Sequence, residues 1–400
     1  MKAVTRPLSA YSDVMVDLND VAGGNGHLFV RNAVGVAGRG VAARVPIDDA
    51  PAFLASLPHD STVDAAGPVA LGSLGFHPGT ASTLIVPEIV VRKSADGKTS
   101  VTTCGDVDDD TVRATLAPRP AAPATASSYR IEPAADVQQY LDAVTSARDA
   151  VRDGRLTKAV IARPIRVTSS SPIDVHAVLR RLRASFGSSY RFSIDGFIGA
   201  SPELLVEVDG PIVRSHPLAG TAPRTGDVDS DARIAAELVA STKDQIEHRV
   251  VIDVVHDTLL PWASYLDWEP EPSIVTVANV QHLGTRMEGM LSQPGPSVVE
   301  LVRALSPTPA LGGHPRDAAI ELIERTEGFE RGRYGGAVGW VDAQGNGIWA
   351  VAIRCAELAA DRRSARLVAG GGIVADSDPQ AELAETQAKF QAMLSAIVRP

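Results

Sequence analysis

Cysteine is scarce in this chain. Its 400 residues include two, Cys104 and Cys355, which excludes a disulfide framework and a Cys-rich zinc site and fits a reduced, cytoplasmic setting. Basic blocks are missing as well, so no nucleic-acid partner is expected. No apolar run reaches the roughly 18 residues that a membrane span needs. Met1 to Asp13 is not followed by the apolar stretch of a secretory leader. Neither a G-x-S-x-G elbow, a Walker A loop nor a dinucleotide fingerprint stands in the required strand–turn–helix context. Acidic residues outnumber basic ones, 48 to 38, for a net charge of −10. A protein of this sign needs local cations or a metal to hold an anionic substrate. What remains is an ordinary globular balance, 44% hydrophobic and 22% charged, which rules out a disordered chain. The length suits two or three domains, or one large α/β unit.

The segment Ala117-Pro118-Arg119-Pro120-Ala121-Ala122-Pro123-Ala124 reads as a linker or exposed crossing, because its prolines prevent a regular helix or central strand. Upstream, Leu84 to Val86 and Ile89 to Val91 read as strand pieces, the second entering a turn at Ala95-Asp96-Gly97. Downstream, Val137, Leu141, Val144 and Val151 fall near helical spacing, ending at Gly154. A strand is expected from Lys158, one long helix from Asp231 to about Leu260, and strands at Gly335 to Val341, Ile348 to Ile353 and Arg366 to Ala369. Asp378 as N-cap and Pro379 as first helical residue open a last helix. No tandem repeat is present. Hairpins mixed with long helices predict an α+β fold with mainly antiparallel sheets.

Charged residues recur at suggestive places. The last helix puts Glu382, Glu385 and Lys389 on one face. The glycines Gly370, Gly371 and Gly372 come just before it, where a bare backbone can approach a ligand and turn N–H groups to an anion. Glu247-His248 lies in the central helix, without the second histidine of a zinc protease. Carboxylates from separate helices, with no Cys or His cluster, suit a hard cation such as Mg2+. Each of these also fits a plain solvated helix face. Glu203 stands between a turn and an apolar strand, and Lys158 opens another. Either could simply face water. His216 and His282 fit satisfied core residues equally well.

Taken in order, these segments resemble the chorismate-binding enzyme family, closest to its isochorismate synthases. The matching stretches are Lys158-Ala-Val-Ile-Ala-Arg163, Ser201-Pro-Glu-Leu-Leu205, Pro217-Leu-Ala-Gly-Thr221, Lys243-Asp-Gln-Ile-Glu-His248 and Gln281-His-Leu283. Pro307-Thr-Pro-Ala-Leu-Gly-Gly313, Tyr334-Gly-Gly-Ala-Val-Gly339, Ile353-Arg-Cys-Ala356, Ala369-Gly-Gly-Gly-Ile-Val374 and Glu382-Leu-Ala-Glu-Thr386 continue the series. Gly72-Ser-Leu-Gly-Phe-His-Pro78 looks like an earlier family segment.

The resemblance implies two large, mostly antiparallel β-sheets packed together with helices outside, forming a single catalytic unit. Residues 1–125 would complete the fold and 126–400 would form the chorismate-binding catalytic region. It implies Mg2+ as cofactor and chorismate as substrate. Lys158 matches the general base and Glu203 the general acid. Glu247 and Glu385 match direct metal ligands, with Glu382 close by. Tyr334, Arg354 and Lys389 match substrate-carboxylate ligands, helped by the backbone of Gly370, Gly371 and Gly372 and of Gly220 and Thr221. His282, Ala310 and Leu311 would border the ring.

The implied activity is an isomerase, isochorismate synthase, in menaquinone or siderophore biosynthesis. A lysine at 158 favours water over ammonia as nucleophile. The alternatives are a salicylate synthase, which goes on to expel pyruvate, or a non-catalytic chorismate-binding protein, which would need no acid–base pair. A monomer is expected, because no partner-binding segment stands out.

Overall fold

The computed structural model describes residues 1–64, 66–120, 127–277 and 280–399. Two large sheets dominate. One has thirteen strands and the other nine, with a third, three-stranded sheet beside them. Among the described residues every strand pair is antiparallel except Ala3–Pro7 with His59–Ser61. The expected α+β architecture is the observed one.

The large sheets face each other across a common core. Phe29, Phe192 and Phe197 come from the first sheet, and Leu71, Val206 and Trp349 from the second. Side chains alternate along a strand. In Tyr190–Ile194, residues 190, 192 and 194 therefore enter this core. The outer face of the first sheet is covered by a second apolar layer from the helices Val175–Phe186 and Pro379–Val398. The helices Val137–Arg152 and Arg316–Thr326 cover its Lys158 end. Strands from the first third join both sheets: His27–Arg31 pairs with Tyr190–Ile194, and Val69–Leu74 pairs with Ala337–Asp342.

Several local readings match closely. The strands Thr83–Val86 and Ile89–Lys93, the turn before Thr99–Cys104 with Gly97 at φ +85°, and the helix Val137–Arg152 all stand where expected. Asp378 caps the last helix by accepting from the Ala381 N–H, with Pro379 in its first turn. Residues 117–120 are irregular; the rest of the expected linker, 121–124, lies outside the described residues.

Two readings need correction. The stretch Asp231 to Leu260 is two helices, Val228–Ala240 and Thr242–Leu259. Ser241 takes extended geometry and its side chain accepts from the Asp244 N–H, so a side-chain cap starts a new helix without Gly or Pro. Gly370, Gly371 and Gly372 do not follow a strand; they belong to Ser364–Ile373, in register with Ala162, Ile161 and Val160.

Candidate active site

The chain crosses from one large sheet to the other at two places that lie side by side. Strand Phe197–Ser201 belongs to the first sheet and Leu204–Asp209 to the second, with Pro202-Glu203 between them. Strand Gly347–Val351 belongs to the second and Cys355–Leu358 to the first, with Arg354 in the crossing. The Ala200 N–H donates to the Arg354 carbonyl at 3.0 Å and ties the crossings together. Arg354 sits at φ +50°, a backbone state that costs a non-glycine residue energy. Glu203 and Arg354 are thus both delivered by the joints between sheets.

These joints open on a cavity of about 320 Å³. Its lining gathers Lys158, Glu203, Gly220, Thr221, Glu247, His282, Ala310, Leu311, Tyr334, Arg354, Gly370, Gly372, Glu382, Glu385 and Lys389. Gly371 lies just behind, where a Cβ would come within 2.6 Å of Glu382 Oε2. A Cβ on Gly372 would lie 2.6 Å from Lys158 Cε and 3.0 Å from Glu247 Oε1. The glycine run therefore makes room for charged side chains beside the strand.

One end of the cavity is a set of ion pairs. Lys158 is 3% exposed and its Nζ lies 2.6 Å from Glu247 Oε1. Burial works to raise the Glu247 carboxyl, but the charge and hydrogen bond of Lys158, with Lys389 and Lys243 behind it, hold it below the usual range. Lys389 Nζ lies 2.5 Å from Glu385 Oε1 and donates to the Gly370 carbonyl at 2.8 Å. Glu382 Oε1 accepts from Ser377 Oγ at 2.8 Å, while its Oε2 is buried without a partner. Burial, then the charge of Glu385, push the Glu382 carboxyl up to about 7.

The other end is built for an anion. Among the described residues no carboxylate comes within ion-pair distance of Arg354, and the one hydrogen-bond contact of its side chain is Nη2 to His282 Nε2 at 3.4 Å. His282 Nδ1 contacts the Gly220 carbonyl at 3.2 Å and Thr221 Oγ1 at 3.1 Å. Burial, followed by the charges of Arg354 and Lys389, pushes His282 down to about 3. The ring is therefore neutral, Nδ1–H donates to Gly220, and Nε2 accepts from Arg354. Tyr334 is 5% exposed, and burial pushes its hydroxyl up to about 12. It stays a neutral donor.

Between the ends lies Glu203, 3% exposed. Its carboxylate accepts only a 3.4 Å contact from the Leu218 N–H. Burial pushes it up to about 8, against the opposing pull of that N–H, Lys158 and Arg354. A carboxyl of that kind keeps its proton at neutral pH and can give it away.

Glu247 and Glu203, which the sequence alone also allowed to face solvent, are half-buried and buried respectively. His282 joins the cavity, and His216 remains a buried residue outside its lining. Lys243 and Asp244 also line the cavity and were given no role from the sequence. They stand four and three residues before Glu247, the spacing that shares a helix face, and that spacing was the available signal.

The donor set fits a hard divalent cation. Glu247, Glu382 and Glu385 offer oxygen only, and Glu382 Oε2 waits without a partner beside Gly371. Among the described residues no three such side chains converge to metal-binding distance; Lys158 and Lys389 occupy two of the three carboxylates.

The family described as "Chorismate binding enzyme" matches residues 59–398. A Mycobacterium tuberculosis protein provisionally named isochorismate synthase MenF is 40% identical over 345 residues, 82% of this chain and 86% of the relative. The isochorismate synthase DhbC of Bacillus subtilis is 42% identical over 281 residues, 68% of this chain and 70% of the relative. The solved structure of MenF, the menaquinone-specific isochorismate synthase of Escherichia coli, superposes with a TM-score of 0.84 at 25% identity, covering 99% of this chain and 94% of that one. Sequence and fold agree along most of the length, and the chain belongs to the chorismate-binding enzyme family.

Proposed function

We infer that the protein is an isochorismate synthase. Water adds at ring carbon 2 of chorismate and the hydroxyl at carbon 4 leaves, so one water enters, one departs, and the product is an isomer. The observation that carries this reading is the placing of a lysine and a proton-bearing glutamate in one cavity. Glu203 is protonated at neutral pH and able to supply the leaving hydroxyl with its proton. Lys158 is paired as an ammonium with Glu247; once that contact is broken and the ammonium has given a proton to solvent, the neutral amine takes the proton from the attacking water. Arg354 and Tyr334 hold one substrate carboxylate; Lys389 serves the other end. Neutral His282 orients Arg354. Leu311 and Ala310 form the wall against the ring.

Glu247, Glu382 and Glu385 would hold Mg2+. When bound, the ion would supply the positive charge that an acidic protein needs to bind a dianion.

The test is incubation of the protein with chorismate and Mg2+, with products separated by chromatography and pyruvate followed by lactate dehydrogenase coupling. Isochorismate without pyruvate is expected, with activity lost in EDTA and restored by Mg2+. Stoichiometric pyruvate would make the enzyme a salicylate synthase. Binding without turnover would make it a chorismate-binding protein only.

A further inference from the structure

Arg191 breaks the rule that a buried charge has a partner. It is 1% exposed. Its neighbours Tyr190 and Phe192 enter the core between the sheets, so the Arg191 side chain leaves on the opposite face. A guanidinium has five N–H donors. Among the described residues the Arg191 side chain makes a single hydrogen bond, from Nη1 to Asn19 Oδ1 at 2.9 Å, and its Nε is buried with no partner. The acid that attracts it, Asp17, is already committed: it accepts from Asn19 Nδ2 at 2.7 Å and pairs with Arg183. Burial, then repulsion from Arg183, pushes Arg191 down to about 10 against the attraction of Asp17, which leaves it cationic at neutral pH. A buried guanidinium with so few acceptors is unfavourable unless something supplies the missing ones.

The structure shows where that something fits. Arg191 lines a cavity of about 450 Å³ together with Lys93 and the ion pair Arg183–Asp17, so two cations remain over the one carboxylate, and the other walls include Val16, Leu18 and Val30. That size suits a small organic ligand. The cations call for an anion, and a carboxylate matches the guanidinium fork with two oxygens. The aliphatic walls call for an apolar body, which inorganic phosphate lacks.

We propose that this cavity, on the outer side of the thirteen-stranded sheet, is a second binding site, for an organic carboxylate with a compact apolar body such as an aromatic ring. It is separate from the catalytic pocket and shares none of its lining residues.

The probe is 4-fluorobenzoate, followed by fluorine NMR on the full chain. The catalytic pocket also accepts carboxylates, so the titration is done in the Arg354→Met background, which removes that clamp. Saturable binding is expected there, at least tenfold weakened by adding Arg191→Met and likewise by adding Lys93→Glu. The neutral isostere 4-fluorobenzamide should not bind. Lys93 is only partly buried, so its variant tests the site even where Arg191→Met fails to fold. Absence of saturable binding in the Arg354→Met protein would overturn the proposal. So would binding that Lys93→Glu leaves unchanged, or equal binding of the amide.

Discussion

Arg354 lines the cavity and Arg331 braces two residues of its wall, Leu311 and Val160, and the two arginines are treated in opposite ways. Arg331 is 3% exposed and satisfied all round. It donates to the Leu311 carbonyl at 2.8 Å, to the Val160 carbonyl at 2.6 Å and to both oxygens of Glu327, with its guanidinium 4.2 Å from the centre of the Phe76 ring. Glu327 in turn accepts from the Ala162 N–H at 2.7 Å. One ion pair thereby ties the Lys158 strand to the loop that carries Leu311. Arg354 has a neutral imidazole at 3.4 Å and a strained backbone. An arginine with all its partners is scaffold. Under the proposed function, an arginine desolvated in advance and left without a counter-ion would gain its partner when substrate arrives, so part of its cost would be recovered only on binding. The glutamates repeat the contrast: Glu327 is saturated, and Glu203 has one long N–H contact.

The comparison can be tested hardest on the glutamates. Glu203→Gln should lower kcat by ~10²–10⁴-fold, the usual worth of a general acid, while leaving the fold intact. In the parent, turnover should fall as pH rises past about 8, where Glu203 loses its proton. Stability gives an independent check on the sign. The Glu203 value is raised on folding, so its stabilising share is complete below the ordinary carboxyl range and is lost as pH rises through about 8. Gln does not titrate. The stability of Glu203→Gln relative to the parent should therefore increase with pH across that window in urea unfolding. A flat difference would mean that Glu203 is ionised in the folded protein.

The arginines should separate stability from activity. Arg331→Met leaves Glu327 buried and unpaired and should cost about 3–5 kcal/mol of stability, measured by urea unfolding. Arg354→Met removes a desolvated charge that has no ion-pair partner among the described residues, so stability should hold or rise. Its kcat/KM should fall by ~10²-fold, corresponding to about 1.5–3 kcal/mol for a hydrogen bond to a charged group. A destabilised Arg354→Met with near-parental kinetics would reverse the roles assigned here.

What the sequence revealed follows the same division. Strand pieces, the Asp378-Pro379 cap and the carboxylates of the last helix were legible, because periodicity, caps and i, i+3 spacing are local signals. The break at Ser241 was also local, but a serine cap inside an uninterrupted helical pattern competes with the absence of Gly and Pro. The place of the glycine run, inside a strand and not after it, was missed for a different reason. Whether three glycines continue a strand depends on what faces them, and Lys158, Glu247 and Glu382 arrive from distant segments. The bracing pair Glu327–Arg331 and the unpaired Arg191 left no trace, because burial and pairing are properties of the assembled sheets.

The smallest expected effect falls on the wall that Arg331 supports. The Leu311 side chain faces the cavity while its carbonyl is held by Arg331, so bulk and position are controlled by different residues. In Leu311→Ala the backbone anchor stays and only the wall recedes. If bulk keeps the enolpyruvyl arm out of the geometry that releases it, the pyruvate-to-isochorismate ratio should rise several-fold, since small displacements of reacting groups change rates strongly. Mg2+ dependence should be retained. Arg331→Lys keeps the leucine but cannot make the same forked contacts, so it loosens the loop instead. Comparing pyruvate release from the two variants assigns the restraint. A rise in Leu311→Ala alone places it in the side chain, whereas a rise in Arg331→Lys alone places it in the loop's anchorage and makes the scaffold arginine a determinant of product identity.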